Sequence, residues 1–379
     1  MKTTPVLNRR QWIGTMGAAL AGVALAPGSV LRGATAVAAP KGPERAGAAE
    51  PVQLLYNENT MGPSPRALEA MSREVARVHR YPFDKTPELI AQIARKEGVS
   101  PDHIVLGAGS GEVLEAFGVC LGRSGGEVIR AVPGYTQMTG AFDRVGGRTV
   151  EVPLNDRLEH DLDAMAAKIG PETKAIYVCN PNNPTGTIVA PARLRAFAVE
   201  AAKHATVFID EAYLECSDDF SANTMVGLVR EGHNVVVTRT FSKIYGLAGQ
   251  RIGYGIMPPE LAKSIRKFTT GSPNLLGVVA AQASLDDTGY VEPMRRRIKA
   301  ERDALCALLK EHGRRYAEPQ ANFVFCHTGM PIEVFQERML REGVAVARAF
   351  APMLDWCRIN VATPEEMAVT HAALRKVLG

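Results

Sequence analysis

The segment Thr240–Arg251 brings two hydroxyl groups, a lysine and an arginine close together in the sequence. A lysine amine that its surroundings partly deprotonate can form a Schiff base with an aldehyde. Small residues follow Lys243 within a few positions, which favours a functional lysine over the ordinary solvated one. Thr240, Ser242 and Arg251 suit a phosphate monoester, because hydroxyl and guanidinium groups donate to its oxygens. The segment predicts an aldehyde-binding lysine beside a phosphate site.

A carboxylate is predicted at the end of a buried strand. The apolar run Thr206–Asp210 places Asp210 at its last position, and Tyr213 follows three residues later. A carboxylate in such surroundings is costly unless a cation pairs with it, and a protonated ring nitrogen would serve. A helix N-cap is the other use for this aspartate, and the two roles are compatible.

Two loops that follow predicted strands offer further ligand groups. The loop Asn180–Gly186 contains two prolines and a glycine, so it is rigid, and it presents Asn183 as a donor at the carboxyl end of a strand. The loop that contains Gly109, Ser110 and Gly111 precedes a predicted helix, whose free N–H groups favour phosphate. It lacks the third glycine of a dinucleotide fingerprint, because position 112 is Glu.

Arg358 enters an apolar strand far along the chain. A guanidinium can bind a carboxylate or a phosphate with two parallel hydrogen bonds, which makes Arg358 a candidate anion anchor. Taken alone, a surface ion pair is the better interpretation of this residue.

The elements that must position these groups alternate between strands and helices. Short β-rich runs separated by helical stretches predict an α/β fold whose large domain has a mostly parallel sheet with helices on both faces. The predicted strands are His103–Leu106, Glu127–Val132, Lys174–Cys179, Thr206–Asp210, Asn234–Arg239, Arg251–Ile256, Phe323–Cys326 and Arg358–Val361. We predict a large domain over 80–290 and a smaller α+β domain over 291–379, with segment 39–79 packing against the small domain.

Composition excludes several other classes of protein. The chain has 379 residues, and a net charge of +4 that comes from the first 38 residues alone, since the remaining Lys and Arg balance the Asp and Glu. A neutral body argues against nucleic-acid binding. None of the six cysteines is spaced as in a zinc site or a C-x-x-C motif, so we predict no metal site and no disulfide framework.

Residues 1–38 have the pattern of an export signal. Arg9 and Arg10 precede the apolar run Ile13–Ala26, which is too short to span a bilayer, and Ala36-Val37-Ala38 is a cleavage pattern. Paired arginines before a weakly hydrophobic core resemble a twin-arginine signal. We therefore predict a periplasmic or exported protein, which would be cytoplasmic if the signal does not function.

Together the motifs specify an aldehyde trap, a partner for a ring nitrogen, an oxygen donor and a phosphate cradle, which are the four things that pyridoxal phosphate needs. The order Asn183, Asp210, Tyr213, Lys243, Arg251, Arg358 resembles the fold-type-I pyridoxal-phosphate aminotransferases of class I/II, and among them the histidinol-phosphate aminotransferase branch. The resemblance extends from Tyr56-Asn57-Glu58-Asn59 to the last helix, which begins after Thr363.

The resemblance implies a role for each matching residue. Lys243 would hold the cofactor as an internal aldimine and then shuttle a proton, and Asp210 would keep the ring nitrogen protonated. Tyr213 and Asn183 would bind the phenolic oxygen of the ring, and Tyr135 would stack on it. The phosphate would be held by Gly109, Ser110, Gly111, Thr240, Ser242 and Arg251.

The resemblance also implies substrate and partner contacts. Arg358 would bind the substrate, with Asn59 and Tyr56 nearby, and Arg348 lies at or one residue from the family's second substrate-side arginine. Tyr81 matches a tyrosine that reaches the phosphate of the partner subunit, which implies a homodimer. The substrates would be a small amino donor and a 2-oxo acid such as 2-oxoglutarate.

Two other functions remain open from the sequence. A pyridoxal-phosphate-dependent decarboxylase or lyase could share these motifs. A periplasmic ligand-binding protein without catalysis is the other, although binding alone needs no Schiff-base lysine.

Overall fold

The computed structural model describes residues 50–379, and the predicted export signal and the start of the leader lie outside them. Within this range the strands are β1 (Val52–Leu54), β2 (Ile104–Gly107), β3 (Glu127–Val132), β4 (Arg148–Pro153), β5 (Thr173–Cys179), β6 (Thr206–Asp210), β7 (Val235–Thr240), β8 (Gly253–Ile256), β9 (Phe323–His327), β10 (Val344–Val346) and β11 (Trp356–Asn360). The α-helices are Pro65–Glu74, Lys85–Glu97, Ser110–Gly122, Gln137–Arg144, Leu162–Ala166, Pro191–Ala201, Phe220–Asn223, Val226–Arg230, Pro259–Ile265, Leu275–Asp286, Val291–Glu311, Ile332–Arg341 and Pro364–Leu378.

A seven-stranded sheet organises the larger part of the structure. Its strand order is β2-β8-β7-β6-β5-β3-β4, and β8 alone runs antiparallel to its neighbours. The prediction of a mostly parallel sheet flanked by helices is therefore confirmed. The carboxyl ends of β5, β6 and β7 lie side by side, because these three strands pair in parallel. Ligands of open parallel sheets bind at this edge.

The central strands are apolar because both of their faces are covered. Along β6 and β7, Phe208 and Val236 belong to one buried cluster, whereas Ile209 and Val237 belong to another. Alternate residues of a strand point to opposite faces, so the two clusters are the cores on the two sides of the sheet. This arrangement explains why the strands read as continuous apolar runs rather than as alternating ones.

The C-terminal part has its own small sheet and core. Strands β9 and β11 pair antiparallel, and the last helix begins with a capping box formed by Thr363 and Glu366. Residues 50–79 are divided between the two parts of the structure. Strand β1 pairs with β10, whereas the helix Pro65–Glu74 packs against the helix Leu275–Asp286. No helix in the described range is long and apolar enough to cross a membrane.

Candidate active site

A cavity of about 490 Å³ opens at the carboxyl ends of β5, β6 and β7. It collects side chains from segments that lie up to about 300 positions apart in the sequence. The sequence-predicted residues that line it are Tyr56, Ser110, Gly111, Tyr135, Asn183, Asp210, Tyr213, Thr240, Ser242, Lys243, Arg251 and Arg358. Its volume is within the range of small-ligand and cofactor sites.

The Lys243 amine lies inside this cavity and faces an aromatic ring. Its Nζ donates a hydrogen bond to the Tyr56 carbonyl oxygen at 3.1 Å and lies 5.4 Å from the centre of the Tyr213 ring. Burial and the nearby positive charge of Arg358 lower the pKa of Lys243 to about 8. A useful fraction of the amine is therefore neutral near neutral pH, and the neutral amine is the form that attacks an aldehyde.

The Asp210 carboxyl group is buried at the floor of the cavity. Tyr177 donates a hydrogen bond to Oδ2 at 3.0 Å, and Thr238 donates to Oδ1 at 3.0 Å. The Ala212 amide also donates to Oδ1, at 3.2 Å, in a turn rather than at the start of a helix. Burial raises the pKa of Asp210, while these donors oppose that rise by stabilising the carboxylate. A cation beside the carboxylate would favour the ionised form of Asp210.

The Tyr213 hydroxyl is fixed by two amides. Asn57 and Asn183 donate to its oxygen at 3.1 and 3.3 Å. Burial raises the pKa of Tyr213, so the hydroxyl keeps its proton. Because the oxygen accepts two hydrogen bonds, its own hydrogen is free to donate to a ligand oxygen in the cavity.

A set of donors suited to phosphate forms the opposite end of the cavity. The helix Ser110–Gly122 begins there, and the side chains of Thr240 and Ser242 are hydrogen-bonded to each other at 2.9 Å. Arg251 donates to the Ser242 hydroxyl at 3.3 Å. A helix N-terminus, two hydroxyls and a guanidinium together are an anion site.

Gly109 lies outside the cavity lining but is required for this end of the site. Its backbone has φ +78°, and a Cβ atom at this position would collide with the Arg251 guanidinium. Gly253 on β8 has a similar role, because a Cβ atom there would collide with the Ser110 amide. The two glycines let Arg251 and the helix Ser110–Gly122 approach the sheet closely.

Arg358 enters the cavity from β11. Its Nη1 donates to Asn183 Oδ1 and its Nη2 to the Leu55 carbonyl, each at 2.7 Å. The guanidinium carbon lies 4.9 Å from the Phe350 ring centre, and Arg348 lies 4.6 Å from the same ring. Nε of Arg358 is buried and has no hydrogen-bond partner among the described residues. The surface ion pair that the sequence left open is therefore excluded.

Three sequence-predicted residues do not line the cavity: Asn59, Tyr81 and Gly109. Asn59 is buried; its amide donates to the Ile244 carbonyl at 2.9 Å, and its Oδ1 accepts from the Met61 amide. It thus supports the backbone beside Lys243. Tyr81 is 74% exposed and stacks on Phe83, away from the cavity. Gly109, described above, is the third.

Several residues of the site were not predicted from the sequence. Thr238 could have been found, because it lies two positions before Thr240 on the same face of β7. Tyr177 and Gln137 carry no comparable signal; Gln137 accepts a hydrogen bond from the Tyr135 hydroxyl at 2.6 Å. Tyr135 lies at the cavity wall with its ring partly exposed, and burial raises its pKa to about 12.

The residues present fit pyridoxal phosphate. The cavity holds an amine of lowered pKa, a buried carboxylate, a phenol with a free hydrogen and a phosphate-binding helix N-terminus, as described above. The unpartnered Arg358 Nε and Asn57 Oδ1 leave polar capacity for a bound molecule. No other common cofactor needs this combination of an aldehyde-reactive amine and a phosphate cradle.

Comparison with known proteins agrees with this chemistry. The model of the family "Aminotransferase class I and II" matches residues 49–375. A histidinol-phosphate aminotransferase of Moorella thermoacetica is 34% identical over 335 residues, which cover 88% of this chain and 86% of that protein. One of Akkermansia muciniphila is 36% identical over 330 residues, covering 86% and 90%.

Solved structures show the same fold. A crystal structure of a putative histidinol-phosphate aminotransferase from Erwinia carotovora atroseptica matches with a TM-score of 0.81 and 28% identity, covering 86% of this chain and 95% of that one. The histidinol-phosphate aminotransferase from Sinorhizobium meliloti, solved in complex with pyridoxal 5'-phosphate, matches with a TM-score of 0.79 and 29% identity, covering 87% and 91%. The chain therefore belongs to the class I and II aminotransferase family and is a pyridoxal-phosphate-dependent aminotransferase.

Proposed function

We propose that this aminotransferase moves an amino group between an anionic amine, either an amino acid or a histidinol-phosphate-like amine, and a 2-oxo acid such as 2-oxoglutarate. The observation that carries this proposal is the pair of arginines at the cavity wall, Arg348 and Arg358, whose guanidinium carbons lie 4.6 and 4.9 Å from the centre of the Phe350 ring. Two guanidinium groups in the cavity that holds the Lys243 amine favour a substrate that carries a carboxylate or a phosphate ester. The names of the relatives support the phosphate-bearing amine.

The chain's own residues would divide the work between binding and proton transfer. Bound pyridoxal phosphate supplies an aldehyde that takes the amino group and a ring that withdraws electrons from the reacting carbon. Lys243 would hold the cofactor between turnovers and carry the proton that leaves the substrate α-carbon. Asp210 would face the ring nitrogen, and the Tyr213 hydroxyl would donate to the ring oxygen. Arg358 would orient the substrate so that the α-hydrogen points toward Lys243 Nζ.

A half-reaction tests the proposal. Holoenzyme is mixed with one amino donor at a time, glutamate or histidinol phosphate among them, without a 2-oxo acid. We expect the cofactor spectrum to convert to that of the aminated cofactor, with one equivalent of oxo product per site. Release of carbon dioxide or elimination products without the aminated cofactor would instead identify the chain as a decarboxylase or lyase.

Removing the Arg358 guanidinium is expected to impair both half-reactions. A charge-assisted hydrogen bond contributes about 1.5–3 kcal/mol, so Arg358→Ala is expected to lose at least about tenfold in kcat/KM for the donor and for the acceptor. Arg358→Lys keeps the charge but loses the fork, so it is expected to remain impaired. Stopped-flow measurement of each half-reaction gives both values, and the cofactor spectrum should change little.

The control for this prediction is an exposed arginine outside the cavity. Arg144→Ala removes a surface guanidinium paired with Glu115 and is expected to leave both half-reactions unchanged. Normal kcat/KM for donor and acceptor in Arg358→Ala would contradict the assignment. A defect for one substrate only would make Arg358 a specificity residue rather than the common anchor.

The proposed assembly is a homodimer in which Tyr81 reaches the phosphate site of the partner subunit. Large apolar side chains lie exposed close to Tyr81 in the sequence: Val75, Val78 and Phe83 are 56%, 59% and 73% exposed. Monomeric proteins rarely leave such side chains together in water. Sedimentation equilibrium is expected to give twice the chain mass. A fully active monomer at micromolar concentration would rule this assembly out.

We also propose export by the twin-arginine route. That route carries folded proteins, so the cofactor could be inserted before translocation. Replacing Arg9 and Arg10 by Lys is expected to retain the uncleaved precursor in the cytoplasm, as measured by cell fractionation and immunoblotting. The variant Lys2→Ala serves as the control, since it removes a nearby positive charge without touching the arginine pair. Equal periplasmic amounts of the arginine variant and the wild type would refute the proposal.

A further inference from the structure

A buried group of charges lies on the side of the sheet away from the cavity. Arg239 is 1% exposed, and its Nη1 donates to both carboxylate oxygens of Glu97 at 2.8 and 3.0 Å. Its Nε and Nη2 donate to Glu211 Oε2 at 3.1 and 3.0 Å, and Nη2 also donates to the Thr224 hydroxyl at 2.6 Å. We call Glu97, Arg239 and Glu211 the buried triad. None of its members lines the cavity.

The triad is directly behind the cofactor-binding residues. Arg239 lies on β7 between Thr238, which donates to Asp210, and Thr240, which lines the cavity. Glu211 follows Asp210, and its amide donates to the Thr238 carbonyl at 3.0 Å. Successive residues along a strand face opposite sides of the sheet. Asp210 and Thr238 therefore meet on the face of the cavity, and Glu211 and Arg239 meet on the opposite face. The Thr238–Asp210 hydrogen bond on the cavity face thus has the Arg239–Glu211 ion pair behind it.

The triad also joins the neighbouring strand. Tyr254 of β8 is the cross-strand partner of Arg239, and its hydroxyl donates to Glu97 Oε1 at 2.8 Å. The next pair along these strands is Thr240 with Gly253, where the backbone contacts the Ser110 amide. The triad therefore links the strand ends that carry Asp210, Thr240 and the phosphate-binding helix.

Stability alone does not account for three buried charges. Replacing a buried ionic group by apolar side chains of similar volume is often neutral or stabilising, because the desolvation cost of the charges is avoided. Forked hydrogen bonds, by contrast, fix geometry in a way that apolar contacts do not. We propose that the buried triad is a positioning device, which holds the Asp210 carboxylate and the Thr240 hydroxyl at the spacing that the ring nitrogen and the phosphate of the cofactor require.

The test uses a variant that removes the three charges of the triad together, so that no member of the triad is left without its partner. The triple variant Glu97→Gln, Arg239→Met, Glu211→Gln is compared with a matched control, Arg302→Met with Asp218→Asn. Arg302 is as buried as Arg239 and pairs with Asp218 at 2.6 Å, but neither residue lines the cavity. Apoenzyme melting temperature reports the fold, and equilibrium dialysis gives the cofactor dissociation constant.

The triad variant is expected to bind the cofactor at least about tenfold more weakly than the control pair variant, at a comparable apoenzyme melting temperature. At saturating cofactor its kcat should fall while the KM of the amino donor stays unchanged, since the substrate anchor is untouched. Arg239→Lys should show a smaller loss, because charge is kept and the fork is lost. If the triple variant does not fold, the cofactor dissociation constant and the kcat of Arg239→Lys test the proposal instead.

Cofactor affinity and kcat equal to those of the control pair would overturn the inference. It rests on the proposed role of Asp210, so Asp210→Asn is measured alongside. Should Asp210→Asn also bind cofactor and turn over normally, the proposed role of Asp210 fails, and the inference fails with it. Should Asp210→Asn be impaired while the triad variant is not, the triad inference fails alone.

Discussion

Replacing Lys243 by Ala is expected to abolish amino-group transfer while the protein still folds. Among the described residues that line the cavity, Lys243 is the only lysine, and burial lowers its pKa to about 8. Its loss removes both the amine that would hold the cofactor and the base at the α-carbon. A positioned base alone contributes about 10²–10⁴-fold, so kcat should fall by at least about 10³-fold. Steady-state kinetics measures this loss, and the visible absorbance of lysine-bound cofactor should vanish.

A matched variant separates this effect from a general loss of lysine. Lys263 lies on the helix Pro259–Ile265, outside the cavity, and Lys263→Ala is expected to keep full activity. Circular dichroism and the melting temperature should show that both variants fold. A Lys243→Ala protein that keeps more than about a tenth of the wild-type kcat would contradict the assignment.

The second large effect is expected from Asp210→Asn. The amide keeps the size of the side chain and one acceptor oxygen, but it removes the negative charge that would stabilise a protonated ring nitrogen. Two unit charges 4 Å apart interact by about 4 kcal/mol at an effective dielectric constant of 20, and every 1.4 kcal/mol is a factor of ten in rate. We therefore expect kcat to fall by about 10²–10³-fold with little change in the KM of the donor.

The variant Thr238→Val shows how much activity is lost when Asp210 keeps its charge but loses one hydrogen bond. It removes one neutral donor to Asp210 while the charge stays, so a loss of only about two- to tenfold in kcat is expected. Single-turnover rates of α-proton removal are the direct measurement for both variants. Equal losses in the two variants would indicate that hydrogen bonding, and not charge, is what Asp210 contributes.

Most residues of the site could be predicted from the sequence, because the parallel sheet brings the ends of its strands to one edge. Polar residues at or after the ends of apolar strands in a parallel sheet meet at one edge, so Asn183, Asp210 and Lys243 converge although they belong to three different strand ends. The type of each residue then restricts the chemistry. Arg251 shows the limit of such reasoning: we predicted a strand from this residue, but it has φ +50° and β8 begins at Gly253.

The remaining contacts of the site could not be predicted, because they form between segments that lie far apart in the sequence. Adjacent residues of the motif at 56–59 point in different directions, and the sequence does not show that Asn57 faces Tyr213 while Asn59 binds the Ile244 backbone. The buried triad is harder still, because Glu97 lies 142 positions from Arg239 and ends a helix that the sequence analysis did not identify. Charged residues in apolar runs have no periodicity that reveals their partners.

Borohydride reduction of the holoenzyme tests directly whether Lys243 holds the cofactor. The reagent fixes the cofactor to whichever lysine holds it, and peptide mapping by mass spectrometry then identifies that residue. We expect one equivalent of cofactor on Lys243, and none when the enzyme has first been converted with an amino donor. Cofactor fixed to a different lysine, such as Lys96, whose amine donates a hydrogen bond to the Tyr245 hydroxyl, would contradict this assignment.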